Sequence, residues 1–219
     1  MIGNFLGSSL TSNDLWFLCL GAGRTLLLTV IAVTVGTALG IVLGIVRAER
    51  GWMVNSLIGS ILDFLRSVPL LIQLIIFNSF VSIIGFPLSA YASGIVVLSV
   101  YMAANCTEVV RAGVQSVSRV TRRASRSLGM SYSQDLWHIV IPIGLRTILP
   151  SWIGVVLGVM KDSALVSVLG YFELVKSSQV LITRTQEPLL ILLLVGLFYF
   201  ILSFPVARLA GKLEQGLSR

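Results

Sequence analysis

Between Gly23 and Val46 the chain carries one charged residue, Arg24, in an otherwise apolar run that ends abruptly at "RAER". No water is available inside a bilayer to satisfy backbone groups, and about 20 consecutive apolar residues in helical form cross its hydrocarbon core. Such a run therefore constrains the fold more than any other feature. The rest of the chain agrees: 56% of its 219 residues are hydrophobic, 11% are charged, and the mean hydropathy is +0.95. These values lie far outside the range of soluble domains. The length accommodates about five spans with short loops, so the expected fold class is all-α, a polytopic helical membrane protein forming a single domain over residues 1–219.

Hydropathy and turn signals place the spans at about Gly23 to Val46, from a start between Leu57 and Val68 to about Ile84, Ser89 to Val110, Leu149 to Leu169, and Pro188 to Ala207. The "GFPLS" stretch marks the turn after the second. Five spans put the termini on opposite sides. Arg47 and Arg50, the six arginines between Arg111 and Arg146, and Arg208, Lys212 and Arg219 all fall on one side, together 11 of the 16 basic residues. By the positive-inside rule that side is the cytoplasm, leaving the N-terminus outside and the C-terminus cytoplasmic. The net charge of +7 is thus a topology signal, not a nucleic-acid signal. The opening "MIGNFLGSSLTSND" has no basic n-region, so the first span is expected to stay attached. Cys19 and Cys106 are the only cysteines, and no disulfide framework is expected. Gly36, Gly40 and Gly44 in the first span and Gly154 and Gly158 in the fourth share helix faces, which reads as close helix packing. Trp16, Phe17, Trp52 and Trp152 fall near span ends and read as interface anchors.

The segment of about 118–142 is different in kind. Thr121 is placed to cap a short helix through Leu128, and Gly129 suits the left-handed turn that ends it. "SYSQ", Ser131 to Gln134, is a capping box that starts a second helix, expected to stop before Pro142. A basic loop serving topology alone has no use for two caps and a fixed turn, whereas a surface that grips another protein does.

Here the sequence resembles a known family, the membrane permease subunits of ATP-binding-cassette importers, in particular the polar amino acid uptake type. Their motif is Glu-Ala-Ala, three residues, Gly, nine residues, then Ile-x-Leu-Pro. This chain has Arg123, Ala124 and Ser125, three residues, Gly129, nine residues, then Ile139, Val140, Ile141 and Pro142. Arg123 reverses the family's charge, so the polar contacts there must differ or the partner must carry a compensating acid. "FLRSVPLLIQL" (Arg66, Pro69, Gln73), "TEVVRAGVQSV" (Glu108, Arg111, Gly113, Gln115) and "MKDSALVSVLGYFEL" (Lys161, Asp162, Leu165, Ser167, Glu173) extend the resemblance over nearly the whole chain from Gly21. It implies an inner-membrane subunit that pairs with a second permease subunit, the same or a paralogue. It also implies two ATPase subunits docked in the cytoplasm and substrate delivered by a solute-binding protein. The coupling residues it marks are Arg123, Ala124, Ser125, Gly129, Ile139 and Pro142. No G-x-x-x-x-G-K-[ST] occurs in the chain, so ATP is expected to be hydrolysed by a separate subunit.

Charges inside spans belong on a bundle interior or a water-filled path. Lys161 and Asp162 suit either a cavity for a zwitterionic amino acid or an interhelical ion pair. Glu108 pairs with Arg111 three residues on, Asp63 with Arg66, and Gln73 suits a substrate or a neighbouring helix. Gln73, Glu108, Lys161 and Asp162 are the substrate-path candidates. His138 stands without companions at metal-ligand spacing, so neither a metal nor a cofactor is expected and it reads as a surface residue. A membrane enzyme would need Asp162 or Glu108 with Ser163 or Ser167 as base and nucleophile, with no histidine in a span to help. An ion-coupled secondary carrier using Lys161 and Asp162 is the alternative transport reading, but it leaves the capped segment unexplained.

Overall fold

The computed structural model describes residues 10–217. The opening residues read for a leader, and Arg219 of the basic tail, therefore lie outside the described residues. Among the described residues nine α-helices follow one another: α1 Ser12–Glu49, α2 Trp52–Ser67, α3 Leu70–Ile83, α4 Ala90–Ser116, α5 Arg119–Ser127, α6 Tyr132–Asp135, α7 Ile141–Asp162, α8 Leu174–Thr185 and α9 Pro188–Leu217. A π-helical turn, Leu136–Val140, joins α6 to α7, and a 3₁₀ stretch, Ser163–Leu169, continues α7. Among the described residues four segments are long and apolar enough to cross a membrane: Ser12–Glu49, Ala90–Ser116, Tyr132–Leu169 and Pro188–Leu213. A fifth is reached only if α2 and α3 are counted as one broken span, since the pair bends by 102° between Ser67 and Leu70.

That bend corrects the simple second span and has a local cause. Steric clash with the proline ring pushes a residue before proline out of the helical region. Val68, just ahead of Pro69, is extended at φ −82° and ψ 130°. By itself α3 has 14 residues, about 21 Å at 1.5 Å per residue and too short for the hydrocarbon core. On α2, Met53, Leu57, Ile61 and Phe64 form an exposed apolar stripe, while Gly59 and Leu62 are buried.

The described chain divides into two compact units. The first takes α1 as far as Val33, Pro69–Leu98 and Leu157–Val206. Its core joins Leu18 and Ala22 of α1 to Leu174 and Leu181 of α8 and Ile191 and Val195 of α9, with Phe17 packed alongside. Phe17 is thus half-buried against the core of this unit, whereas Trp16 is exposed. α8 is held to α1 at both ends. Arg184 pairs with Asp14 at 2.6 Å. At the other end Thr25 Oγ1 accepts from the Leu174 N–H at 3.2 Å and Arg24 donates to the Phe172 carbonyl at 3.1 Å. Glu173 caps α8 by accepting from the N–H groups of Val175 and Lys176 at 2.9 and 2.7 Å.

The second unit takes Thr34–Val68, Ser99–Val156 and the chain from Ala207. The expected glycine row is where α1 meets α4. A Cβ at Gly36, Gly40 or Gly44 would stand 2.5 to 2.6 Å from the side chain of Met102, Cys106 or Val110, respectively. Only hydrogen fits in that gap, and in lipid such close backbone approach supplies much of the packing energy. Gly144 of α7 crosses α4 against the Gly113 carbonyl, where a Cβ would stand 2.9 Å away. Gly154 and Gly158 correct the sequence reading: a Cβ at either would meet nothing within 4 Å. Trp152 is also corrected. It donates Nε1–H to Thr37 Oγ1 at 3.0 Å and so ties α7 to α1.

Candidate functional site

The segment singled out by its caps forms a compact unit of α5, a turn at Gly129, and α6 with its π-helical continuation. The N-cap of α5 is Ser118, whose Oγ accepts the Thr121 N–H at 3.1 Å; Thr121 sits inside the first turn, its hydroxyl 2.8 Å from the same Oγ. Thr121 as cap is thus corrected by three residues, because Ser118 is extended (ψ 141°) and meets the chain first. Gly129 takes φ +86°, the left-handed turn expected of it. Both bonds of the capping box form: Gln134 N–H to Ser131 Oγ at 3.3 Å and Ser131 N–H to Gln134 Oε1 at 2.8 Å. The stop before Pro142 does not occur. The chain goes from α6 through the π turn directly into α7, with Pro142 just after the π turn, where the regular i, i+4 ladder is already interrupted.

Buried polar bonds lock the two arms. Asp135 is fully buried, accepting from Ser125 Oγ at 2.6 Å and from Arg122 Nε at 2.9 Å. Arg122 also donates to Glu49 at 2.6 and 3.3 Å, tying the unit to the end of α1. The Glu49 carboxylate beside it, with Asp135 adding to the effect, raises the guanidinium above its ordinary range, so it stays charged at any accessible pH. Of the six motif residues, Ser125 is buried and bonded, Ala124 and Arg123 are exposed, Gly129 makes the turn, Ile139 lies in the π turn, and Pro142 starts α7. Asp135 and Arg122, the residues that fix this geometry, were not singled out from sequence. Their spacing of thirteen residues across a turn has no periodic signature.

In the second unit a charged cluster gathers around Glu108. Arg111 donates to it at 2.8 and 3.0 Å, Arg47 of α1 forms an ion pair with it, and Arg66 of α2 approaches to 3.9 Å while pairing with Asp63. The two i, i+3 pairs were legible, but the convergence of α1 and α2 on Glu108 was not. Gly59 makes room for it: a Cβ there would stand 2.6 Å from Arg47 Nη2. Glu108 is therefore a carboxylate facing three arginines at the end of α4.

Lys161 and Asp162 stand where α7 gives way to the 3₁₀ stretch, Lys161 exposed and Asp162 half-buried. Neither forms an ion pair among the described residues. Gln73 is half-buried on α3. Gln73, Lys161 and Asp162 belong to the first unit and Glu108 to the second. His138 is exposed, its Nδ1 3.0 Å from the Gln134 carbonyl oxygen. Among the described residues no three His, Cys, Asp or Glu side chains group as metal ligands would.

Long apolar helices and a capped polar unit between spans define a polytopic helical membrane protein. The chain belongs to the family of binding-protein-dependent transport system inner membrane components, whose profile matches residues 36–219. It is a multi-pass inner-membrane permease subunit, and its family comprises transport components, not enzymes. Similar proteins include a probable glutamine ABC transporter permease protein GlnP of Bacillus subtilis (strain 168), 30% identical with 96% of this chain and 98% of the relative covered. GlnM of the same organism carries the same description and is 29% identical over 91% and 92%. The nopaline transport system permease protein NocM of Agrobacterium fabrum is 29% identical over 89% and 85%. A crystal structure of an amino acid ABC transporter with histidines superposes with a TM-score of 0.86 at 26% identity, covering 98% of this chain and 99% of that one. The MetNI methionine transporter shares the fold, with a TM-score of 0.84 at 18% identity. None of these relatives supports the ion-coupled carrier reading.

Proposed function

We propose that this chain is the permease subunit of an ATP-driven importer of polar amino acids or their derivatives, the substrate class for which its relatives are named. It pairs with a second permease subunit, receives substrate from a solute-binding protein, and is driven by two ATPase subunits on the cytoplasmic side. The whole of residues 1–219 acts as one permease domain, with the N-terminus outside and the C-terminus cytoplasmic, as the distribution of Lys and Arg favours.

The observation that carries this reading is the α5–α6 unit. Its arms are pinned by the Arg122, Asp135 and Ser125 bonds and its base by Glu49, and it runs without interruption into α7. A rigid-body push on such a unit reaches a spanning helix with little loss, which is what coupling requires. Arg123, Ala124, Ser125, Gly129, Ile139 and Pro142 form the coupling segment. Along the path, Lys161 and Asp162 offer charges of both signs that form no ion pair among the described residues, suited to a zwitterion's carboxylate and ammonium. Gln73 supplies a hydrogen-bonding side chain on α3, and Glu108 offers a carboxylate among the arginines that hold it.

Reconstitution tests this directly. Proteoliposomes holding the permease pair, the ATPase and the binding protein take up labelled polar amino acid only with ATP, and vesicles with this chain alone take up none. Full-rate uptake by the chain alone would refute the reading.

A further inference from the structure

The four arginines of α5 are not equivalent. Arg122 turns inward and takes both nearby carboxylates, Glu49 and Asp135. Arg119, Arg123 and Arg126 recur at i, i+4 and i+7, so they share one face of the helix. All three are exposed, and none makes an ion pair among the described residues, although Asp135 feels the charge of Arg126. With Arg122, Glu49, Asp135, Ser127 and Tyr132 they line an open cleft of about 730 Å³, four arginines against two carboxylates already in use. Beside the arginine row runs a second one, Val120, Ala124 and Leu128 at i, i+4 and i+8, with Val120 and Leu128 exposed at 76% and 85%.

A basic amphipathic surface suits either a membrane or a protein, and two features favour a protein. The uncharged part of α4 ends at Thr107, and Ser116 lies nine residues further on, about 13 Å at the helical rise, so α5 starts beyond the hydrocarbon edge. Its apolar row also lacks the Trp and Phe with which interfacial helices insert.

We propose that α5 docks by charge as well as by shape: Val120, Ala124 and Leu128 seat in an apolar cleft of the ATPase subunit whose rim carries Asp and Glu side chains facing Arg119, Arg123 and Arg126. This rests on the proposed function, since it names the chemistry of the partner at that same segment. It also explains how Arg123 occupies the place of the family's glutamate: the contact is kept with its polarity reversed. The permease thereby selects an acidic-rimmed ATPase and rejects one with a basic rim, because like charges brought face to face are strongly disfavoured.

The experiment is affinity purification of the tagged chain with its ATPase at rising ionic strength, for the wild type, Arg123→Lys, Arg123→Glu and the triple variant R119E/R123E/R126E. Membrane level and monodispersity of the chain serve as the folding control. ATPase recovered with wild type should fall about ten-fold between low and roughly 0.5 M salt, because screening shortens the reach of exposed charges. Arg123→Lys should retain it, Arg123→Glu should lose about ten-fold at low salt, and a Glu→Lys or Asp→Lys change on the ATPase rim should restore it. The wild-type salt titration needs no variant and stands even where the triple variant fails to fold. Salt-independent recovery, or full recovery with a well-folded triple variant, would overturn the inference and leave the proposed function standing. Loss of co-purifying anionic phospholipid in the variants with ATPase retained would overturn it in favour of a membrane surface. A wild-type chain that brings down no ATPase at any salt would instead remove the function on which it rests.

Discussion

At the scale of single residues the molecule separates charges that hold the fold from charges that are left over. Arg122 and Asp135 hold. Replacing Arg122 with Gln strips a fully buried carboxylate, Asp135, of its ion pair and removes that of Glu49 as well. A buried acceptor deprived of a partner costs of order 1–3 kcal/mol, so Arg122→Gln should lower the thermal inactivation temperature of the purified assembly; an unchanged temperature would show that the pair has no structural weight. Asp162 is left over. It is half-buried beside the end of α7 with no ion pair of its own in the described chain. Asp162→Ala should abolish uptake while the subunits still co-purify in wild-type amounts. If assembly is lost instead, the carboxylate serves an ion pair with another subunit and not the path.

At the scale of elements, two glycines make contrasting demands. Gly129 has open space around it but a φ of +86°. Gly129→Ala therefore fails through backbone strain, about 1–2 kcal/mol, whereas Asn tolerates the left-handed region better. Uptake per ATP hydrolysed should drop for Ala and be largely kept for Asn; equal behaviour would mean that the turn is not what couples. Gly40 has an ordinary backbone but no room, since its Cβ would stand 2.6 Å from that of Cys106. Gly40→Leu should separate α1 from α4 and lower the amount of folded protein in the membrane, a far larger effect than Gly154→Leu, which meets nothing in this chain.

Elements also show where sequence patterns stop being informative. Long apolar runs with little or no charge made α1, α4 and α9 legible because lipid leaves the backbone only one arrangement there. The capping box and Gly129 were legible because caps and left-handed turns are decided within four residues. The stop expected at Pro142 failed because the π turn absorbs the proline into the first turn of α7, a register change with no hydropathy signal. The break at Val68 was obscured because α2 is apolar enough to look like the start of a span. Arg47 and Glu108, 61 residues apart, lay beyond any pattern in the chain.

At the scale of the whole molecule, two sets of groups form no ion pair among the described residues: the arginine row beside its exposed apolar neighbours on α5, and Lys161 with Asp162 at the end of α7. Both are expected of a subunit completed by others, one set by an ATPase and the other by the translocated solute. The central claim is that this chain works only as part of such an assembly. Gentle affinity purification of the tagged full-length chain from its native membrane, followed by mass spectrometry of everything recovered in stoichiometric amount, tests it most directly. The expected result is an ATPase carrying a Walker A motif together with one further permease subunit, identical or paralogous. Recovery of the chain alone from several mild detergents would contradict it.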